Sequence, residues 1–213
     1  MTTRIRPATA ADAPLLAWVM LAASRSHLPR GIWDVMIGGP DAHCLAFLER
    51  LALSDIDTFC RYPGFLVAEV GGQGVAALAG YVGATGTASI DRAVAEAYRA
   101  LGWEEAALAA ANARLGRAAP CFPEQPPEAW IVEWVATRPE FRRRGLVERL
   151  LEQILAVGRA RGHRVAQISI LIGNTPAERA YEKVGFRMAD EKRTPEFEAT
   201  IGAPGIRRFL RPL

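Results

Sequence analysis

The run Trp130-Ile131-Val132-Glu133-Trp134-Val135-Ala136-Thr137 is apolar except at Glu133 and Thr137, and it leads through an arginine-rich turn into an amphipathic helix. From about Gly145 to Arg161, the residues Leu146, Leu150, Ile154 and Val157 share one stripe, with Val147, Leu151 and Leu155 beside it. Gly162 closes that helix, and Arg159 and Arg161 suit the negative end of its dipole. Arg164 to Ile172 then reads as another strand. A buried strand, a helix with one apolar flank and a further strand must lie as a sheet with helices packed on it.

The remainder of the chain extends that sheet. Ile5 to Thr9 reads as a short strand entering a helix capped by Thr9 or Ala11-Asp12, with Leu15, Leu16, Val19 and Met20 at helical spacing. Arg25 to Pro40 carries Pro29, Gly31, Gly38, Gly39 and Pro40, and reads largely as loop around Trp33, Asp34 and Met36. From Asp41 a second helix is expected, with Leu45, Leu48, Leu51 and Leu53 as its apolar members. Phe65 to Val70, a glycine-rich turn and Val75 to Val82 read as a hairpin whose second strand is apolar enough to be covered on both faces. Residues 87–115 are alanine-rich and should be helical with a break at Gly102, since alanine loses no side-chain entropy in a helix. A proline-rich connection follows over about 116–128. A helix over Thr175 to Val184 and strands near Phe186–Met188, Phe197–Thr200 and Ile206–Leu210 complete the chain. This order predicts one α/β (α+β) domain over residues 1–213, with a mixed central sheet of about seven strands flanked by helices and a helical insertion between strands 3 and 4.

Several function classes lose support. No run approaches the roughly 18 apolar residues of a membrane span, and Met1 to Pro7 lacks the apolar core of a signal peptide. A cytoplasmic protein without a membrane partner is expected. The net charge of +3 and a pI near 9.0 raise nucleic-acid binding. The densest basic cluster, Arg142-Arg143-Arg144, sits at a strand–helix junction, where a local anion site explains it better than a polyanion track. Cys44, Cys60 and Cys121 read as free thiols, and His27, His43 and His163 lack zinc spacing, so no metal is expected. The signatures GxGxxG, GxxxxGK[ST], GxSxG and HExxH do not occur.

Two segments depart from ordinary core and surface. In the first, Thr137 to Val147, a buried strand ends and a helix begins at Gly145. Helix N-termini present unpaired N–H groups and partial positive charge, the glycine removes an obstructing side chain, and the arginines add charge. A phosphate or pyrophosphate cradle fits this, and so does a solvated basic turn. In the second, Gly173 to Phe186, Thr175 as N-cap, Pro176 and Glu178 make a capping box and Gly185 ends the helix. Asn174 and Tyr181 are not needed by that grammar, and Ala177 opens space on the same helix face as Tyr181. Packing alone is the competing account of the phenol. Glu133 within its apolar run is costly unless paired or functional, and burial should raise its pKa. A salt bridge or exposure at a sheet edge would explain it as well. Two positions apart on a strand, Glu133 and Val135 should share a face.

Together the two segments resemble the GNAT acyltransferase superfamily, and the resemblance spans essentially the whole chain. Ile5 to Asp12 looks like that family's opening strand and helix. Thr137 to Val147 is similar to its coenzyme A motif, with Arg142 and Gly145 matching and Val147 departing from the usual small residue. Asn174, Ala177, Tyr181 and Gly185-Phe186 look like its second motif. The resemblance implies an enzyme that moves an acetyl group from acetyl-coenzyme A, as co-substrate, to a primary amine of a small molecule or peptide. It implies a strand that splays from its neighbour at Val135, Ala136 and Thr137 to admit the pantetheine arm. The amides of Arg142, Arg143, Arg144, Gly145, Leu146 and Val147 would hold the pyrophosphate, with Asn174 and Ala177 beside the arm. Tyr181 would face the thioester sulfur as acid, and Glu133 or a water chain would serve as base. Acceptor contacts would come from Arg25 to Leu53, where Trp33 and Asp34 are candidates, and from about Glu191 to Gly205. The insertion over 87–115 could be a lid, an acceptor wall or the surface of a homodimer. A coenzyme A-binding module without turnover, and an enzyme for a longer acyl chain, are the alternatives.

Overall fold

The computed structural model describes residues 2–83, 87 and 89–213; residue 88 of the expected insertion and Met1 lie outside the described residues. The elements run β1 (Thr3–Pro7), α1 (Ala13–Arg25), α2 (Ile32–Ile37), α3 (Asp41–Ala52), β2 (Phe65–Val70), β3 (Gln73–Val82), α4 (Ile90–Ala100), α5 (Glu105–Gly116), β4 (Trp130–Thr137), α6 (Leu146–Ala160), β5 (Val165–Leu171), α7 (Thr175–Lys183), β6 (Arg187–Arg193), α8 (Pro195–Ile201) and β7 (Gly205–Pro212). The strands form one seven-stranded sheet in the order β1-β2-β3-β4-β5-β7-β6. All neighbours pair antiparallel except β4 and β5, which are parallel and joined by the α6 crossover. The mixed sheet flanked by helices matches the sequence reading.

Alternating side chains send two cores to opposite faces of the sheet. Val67, Ala77 and Ala79 pack with α1, α3 and α4 in one core; Leu66, Ala68, Leu78, Trp130 and Val132 pack with α6 in the other. A third cluster joins Val35 of α2 and Ala118 and Cys121 after α5 to Phe197 and Ile201 of α8. The insertion therefore docks on the domain. Trp103, between its helices, stacks on Phe47 of α3 with centroids 6.0 Å apart, and the Tyr98 hydroxyl donates to the Met36 carbonyl at 3.2 Å.

Three local expectations are corrected. The 25–40 segment contains α2: the Asp34 carboxylate accepts from the Gly31 N–H at 2.8 Å and closes the first turn, while Trp33, Val35 and Met36 are buried. Phe197–Thr200 is helical rather than a strand, because the Thr194 hydroxyl accepts from the Phe197 N–H at 3.0 Å and Pro195 starts the helix. Leu53, expected as an apolar member of α3, falls just past it and is 43% exposed.

Trp130 fixes the start of β4. Its indole N–H donates to the Ile154 carbonyl at 3.0 Å, and its ring fills the gap over Gly80 and Gly158, where added Cβ atoms would each come within 2.6 Å of it. Gly158→Ala should therefore overpack the junction and cost about 1–3 kcal/mol. Thermal denaturation should record a Tm lower by roughly 2–12 °C for a chain of this size.

Candidate active site

Parallel pairing between β4 and β5 covers only Trp130, Ile131 and Val132 against Ala166, Gln167 and Ile168. Beyond Val132 the two strands part, so residues 133–137 of β4 line a slot. On the other edge the β3–β4 ladder jumps from Ala79↔Glu133 to Ala77↔Ala136, which leaves one β3 residue opposite two on β4. Trp134 takes φ of +55°, in the left-handed region that costs a non-glycine residue about 1–2 kcal/mol. The bulge corrects the expectation that Glu133 and Val135 share a face. Trp134 and Ala136 pack with the α1–α3 core, whereas Val135 packs with the α6 core.

Glu133 points toward the α1–α3 side. Its carboxylate accepts from the Tyr81 hydroxyl at 2.8 Å, and that hydroxyl accepts from the Gln125 side-chain N–H at 2.9 Å. Phe59 stacks on both Tyr81 and Trp134, with centroids 5.3 and 5.8 Å away, and Trp33 packs on Trp134 at 5.7 Å. Within this aromatic wall, desolvation pushes the Glu133 carboxyl up to about 7, against the opposing pull of the Tyr81 hydrogen bond. No salt bridge involves Glu133 among the described residues. Cys60 is buried nearby, and desolvation with the Glu133 charge holds its thiol well above the usual range. Tyr81→Phe removes a donor that favours the carboxylate, so the Glu133 titration should move upward by about one pH unit. A carboxyl-carbon NMR titration of the two proteins measures it.

At the end of β4 the chain turns through Pro139–Phe141 into α6. Arg143 has φ of +60° and Gly145, the residue before α6, has φ of +70°; a Cβ built on Gly145 would meet nothing within 4 Å. Among the described residues, the N–H groups from Arg143 to Glu148 have no acceptor. The Arg142 N–H is taken by the Pro139 carbonyl at 3.3 Å, and its side chain donates to the Thr137 carbonyl, also at 3.3 Å. The Arg144 guanidinium lies over the Phe141 ring and donates to the Glu140 carbonyl at 3.0 Å. Val147 packs toward the α6 core, so it does not fill the mouth of the turn. An open arc of unpaired amides remains, beginning one residue later than expected.

Across the slot, α7 presents Tyr181, which packs against Phe186 in the α6 core. Burial pushes its phenol well above the usual range, and its hydroxyl makes no hydrogen bond among the described residues. Asn174, rather than Thr175, is the N-cap of α7: its side-chain oxygen accepts from the Ala177 N–H at 3.3 Å and its amide donates to Ser26 at 2.6 Å. Glu178 turns to Arg207 at 2.9 Å instead of closing a capping box. Ala177 is half-buried beside Tyr181's cluster. Asp34 is not free for an acceptor, since Arg25 holds it through two hydrogen bonds of 3.0 and 2.6 Å. Trp33 is 5% exposed and serves as a wall of the aromatic cluster.

Tyr81, Gln125 and Phe59 escape a reading of the sequence. Tyr81 is one residue in an apolar strand, and Gln125 lies in a proline-rich stretch where nothing marks it out. Among the described residues, no group of three or more His, Cys, Asp or Glu side chains could hold a metal ion, and no helix is long and apolar enough to cross a membrane.

Residues 40–186 match the sequence model of the acetyltransferase (GNAT) family. No curated protein matches the chain. Among solved structures, a crystal structure of an acetyltransferase aligns with a TM-score of 0.69 at 20% identity, covering 98% of each chain. An N-acetyltransferase from Staphylococcus aureus Mu50 aligns with a TM-score of 0.68 at 20% identity, covering 98% of this chain and 100% of that one. A Drosophila melanogaster polyamine N-acetyltransferase, which forms N-acetylagmatine, aligns with a TM-score of 0.56 at 17% identity over 100% of both chains.

Proposed function

Because the chain belongs to the GNAT acetyltransferase family, we propose that it transfers an acetyl group from acetyl-coenzyme A to a primary amine of a small molecule or peptide at the slot between β4 and β5. The observation that carries this is the opening of the sheet after Val132, with unpaired amides at one end and Glu133 and Tyr181 reaching it from opposite faces.

The residues present fit the coenzyme. Orphaned main-chain N–H groups from Arg143 to Glu148, at the positive end of α6, form a site for a diphosphate. The β4 edge left unpaired from Glu133 to Thr137 offers backbone groups to an extended pantetheine arm, as an added strand would. When bound, acetyl-coenzyme A would supply the acyl group as an activated thioester. An amine arriving from the α1–α3 side meets Glu133, which accepts its proton and leaves a neutral nucleophile. The Tyr181 hydroxyl, free and protonated, gives its proton to the departing sulfur. The raised thiols of Cys44 and Cys60 argue for direct attack by the amine over relay through a protein sulfur.

The test is thiol release from acetyl-coenzyme A, and from longer acyl donors, against amino acids, polyamines, aminoglycosides and peptide N-termini. Turnover with an amine and acetyl-coenzyme A supports the proposal; coenzyme binding without turnover on any amine favours a binding module. Gly145→Asp would set a carboxylate in the amide arc and strain a left-handed position. Calorimetry should then record coenzyme A affinity lower by at least about tenfold, the loss of a single charge-assisted contact or more.

A further inference from the structure

On the flank of α2 opposite Trp33 lies an open cavity of about 490 Å³ between α2, the end of α5 and α8, lined in part by Val35, Gly38 and Thr200. Three arginines line it: Arg30, Arg114 and Arg117. Its acidic group, Asp34, already accepts from Arg25 through both carboxylate oxygens and from the Gly31 N–H. Arg114 is fixed by donating to the Val35 and Met36 carbonyls at 3.0 and 3.3 Å, which places its charge at the negative end of α2. The side chains of Arg30 and Arg117 make no hydrogen bond or ion pair among the described residues. Helix-end electrostatics account for Arg114 and, following the last turn of α5, for Arg117. They do not account for Arg30, which precedes the positive end of α2.

We propose that this cavity binds a small molecule through a carboxylate or phosphate group, gripped by Arg30 and Arg117. Guanidinium forks match planar oxyanions with two parallel hydrogen bonds, and the volume is that of an ordinary small-molecule site. The group could belong to the acceptor or to a separate effector. The link to catalysis is α2 itself, because its Trp33 packs on Trp134 beside Glu133.

Calorimetry of the full chain with citrate tests this. The expected result is one-site binding that weakens as ionic strength rises. Combined Arg30→Ala and Arg117→Ala substitutions should weaken it by at least about tenfold. Both side chains are exposed, so an unchanged thermal melt confirms that the double variant folds. Gly145→Asp should leave citrate binding intact, which separates this cavity from the amide arc. No heat with the natural chain, or equal heat with the double variant, overturns the proposal. In initial-rate assays, citrate that raises the KM for the amine at constant kcat identifies an acidic group on the acceptor; citrate that alters kcat at constant KM identifies an effector. Binding does not depend on turnover, so a negative thiol-release screen leaves this proposal standing, and a negative calorimetric result leaves the acetyltransferase proposal standing.

Discussion

Tyr181→Phe is expected to lower kcat by about 100-fold, the usual contribution of a positioned general acid, while coenzyme A binds nearly as before. The phenol lies 6% exposed in the α6 core, its hydroxyl makes no hydrogen bond among the described residues, and burial keeps its proton in place at neutral pH. Removing one oxygen leaves the packing with Phe186 intact. Steady-state rates together with coenzyme calorimetry separate the outcomes. Unchanged kcat would mean that water protonates the sulfur, and parallel loss of affinity and rate would reduce the ring to packing.

Glu133→Gln should change how activity depends on pH. A base must be ionised to act, and desolvation holds this carboxyl near 7. In the natural chain kcat/KM should therefore rise with pH and level off above about 7. In the variant that limb should disappear, with kcat at pH 7.5 lower by about 100-fold. An unaltered profile would remove Glu133 from the base role and leave a water chain. Stability should respond in the opposite sense. With a folded value of about 7 against an ordinary 4.5, the fold prefers the protonated carboxyl. Its contribution is complete below 4.5 and is lost as pH rises through about 7. The glutamine variant should thus melt higher than the natural chain at pH 8, with little difference at pH 4.

Much of the architecture is legible because apolar patterning is local. The Trp130–Thr137 run, the double stripe of α6 and the glycine-rich hairpin turn each announce an element without help from distant residues. Short elements are harder. The six residues of α2 stand between glycines that look like loop, and Thr194-Pro195 initiates a helix where Phe197 and Thr200 suggest a strand. In the site, Glu133 and Tyr181 are visible because each breaks the grammar of its own element. The partner that holds Glu133 lies 52 residues away, and Gln125 reaches Tyr81 across 44, so no spacing rule finds either. The faces on which Glu133 and Val135 lie are hidden for another reason. Alternation is a sound rule for a regular strand, and a left-handed residue between the two suspends it.

That left-handed residue at Trp134 has a consequence for how the protein can be altered. One extra position in β4 interrupts the ladder with β3, so a single-residue deletion there would restore an unbroken hydrogen-bonded edge to β3 and relieve a strained backbone. Screens that select for heat resistance alone would be drawn toward such shortened strands, and would recover sturdier molecules without the aromatic wall that Trp33 and Phe59 build on Trp134.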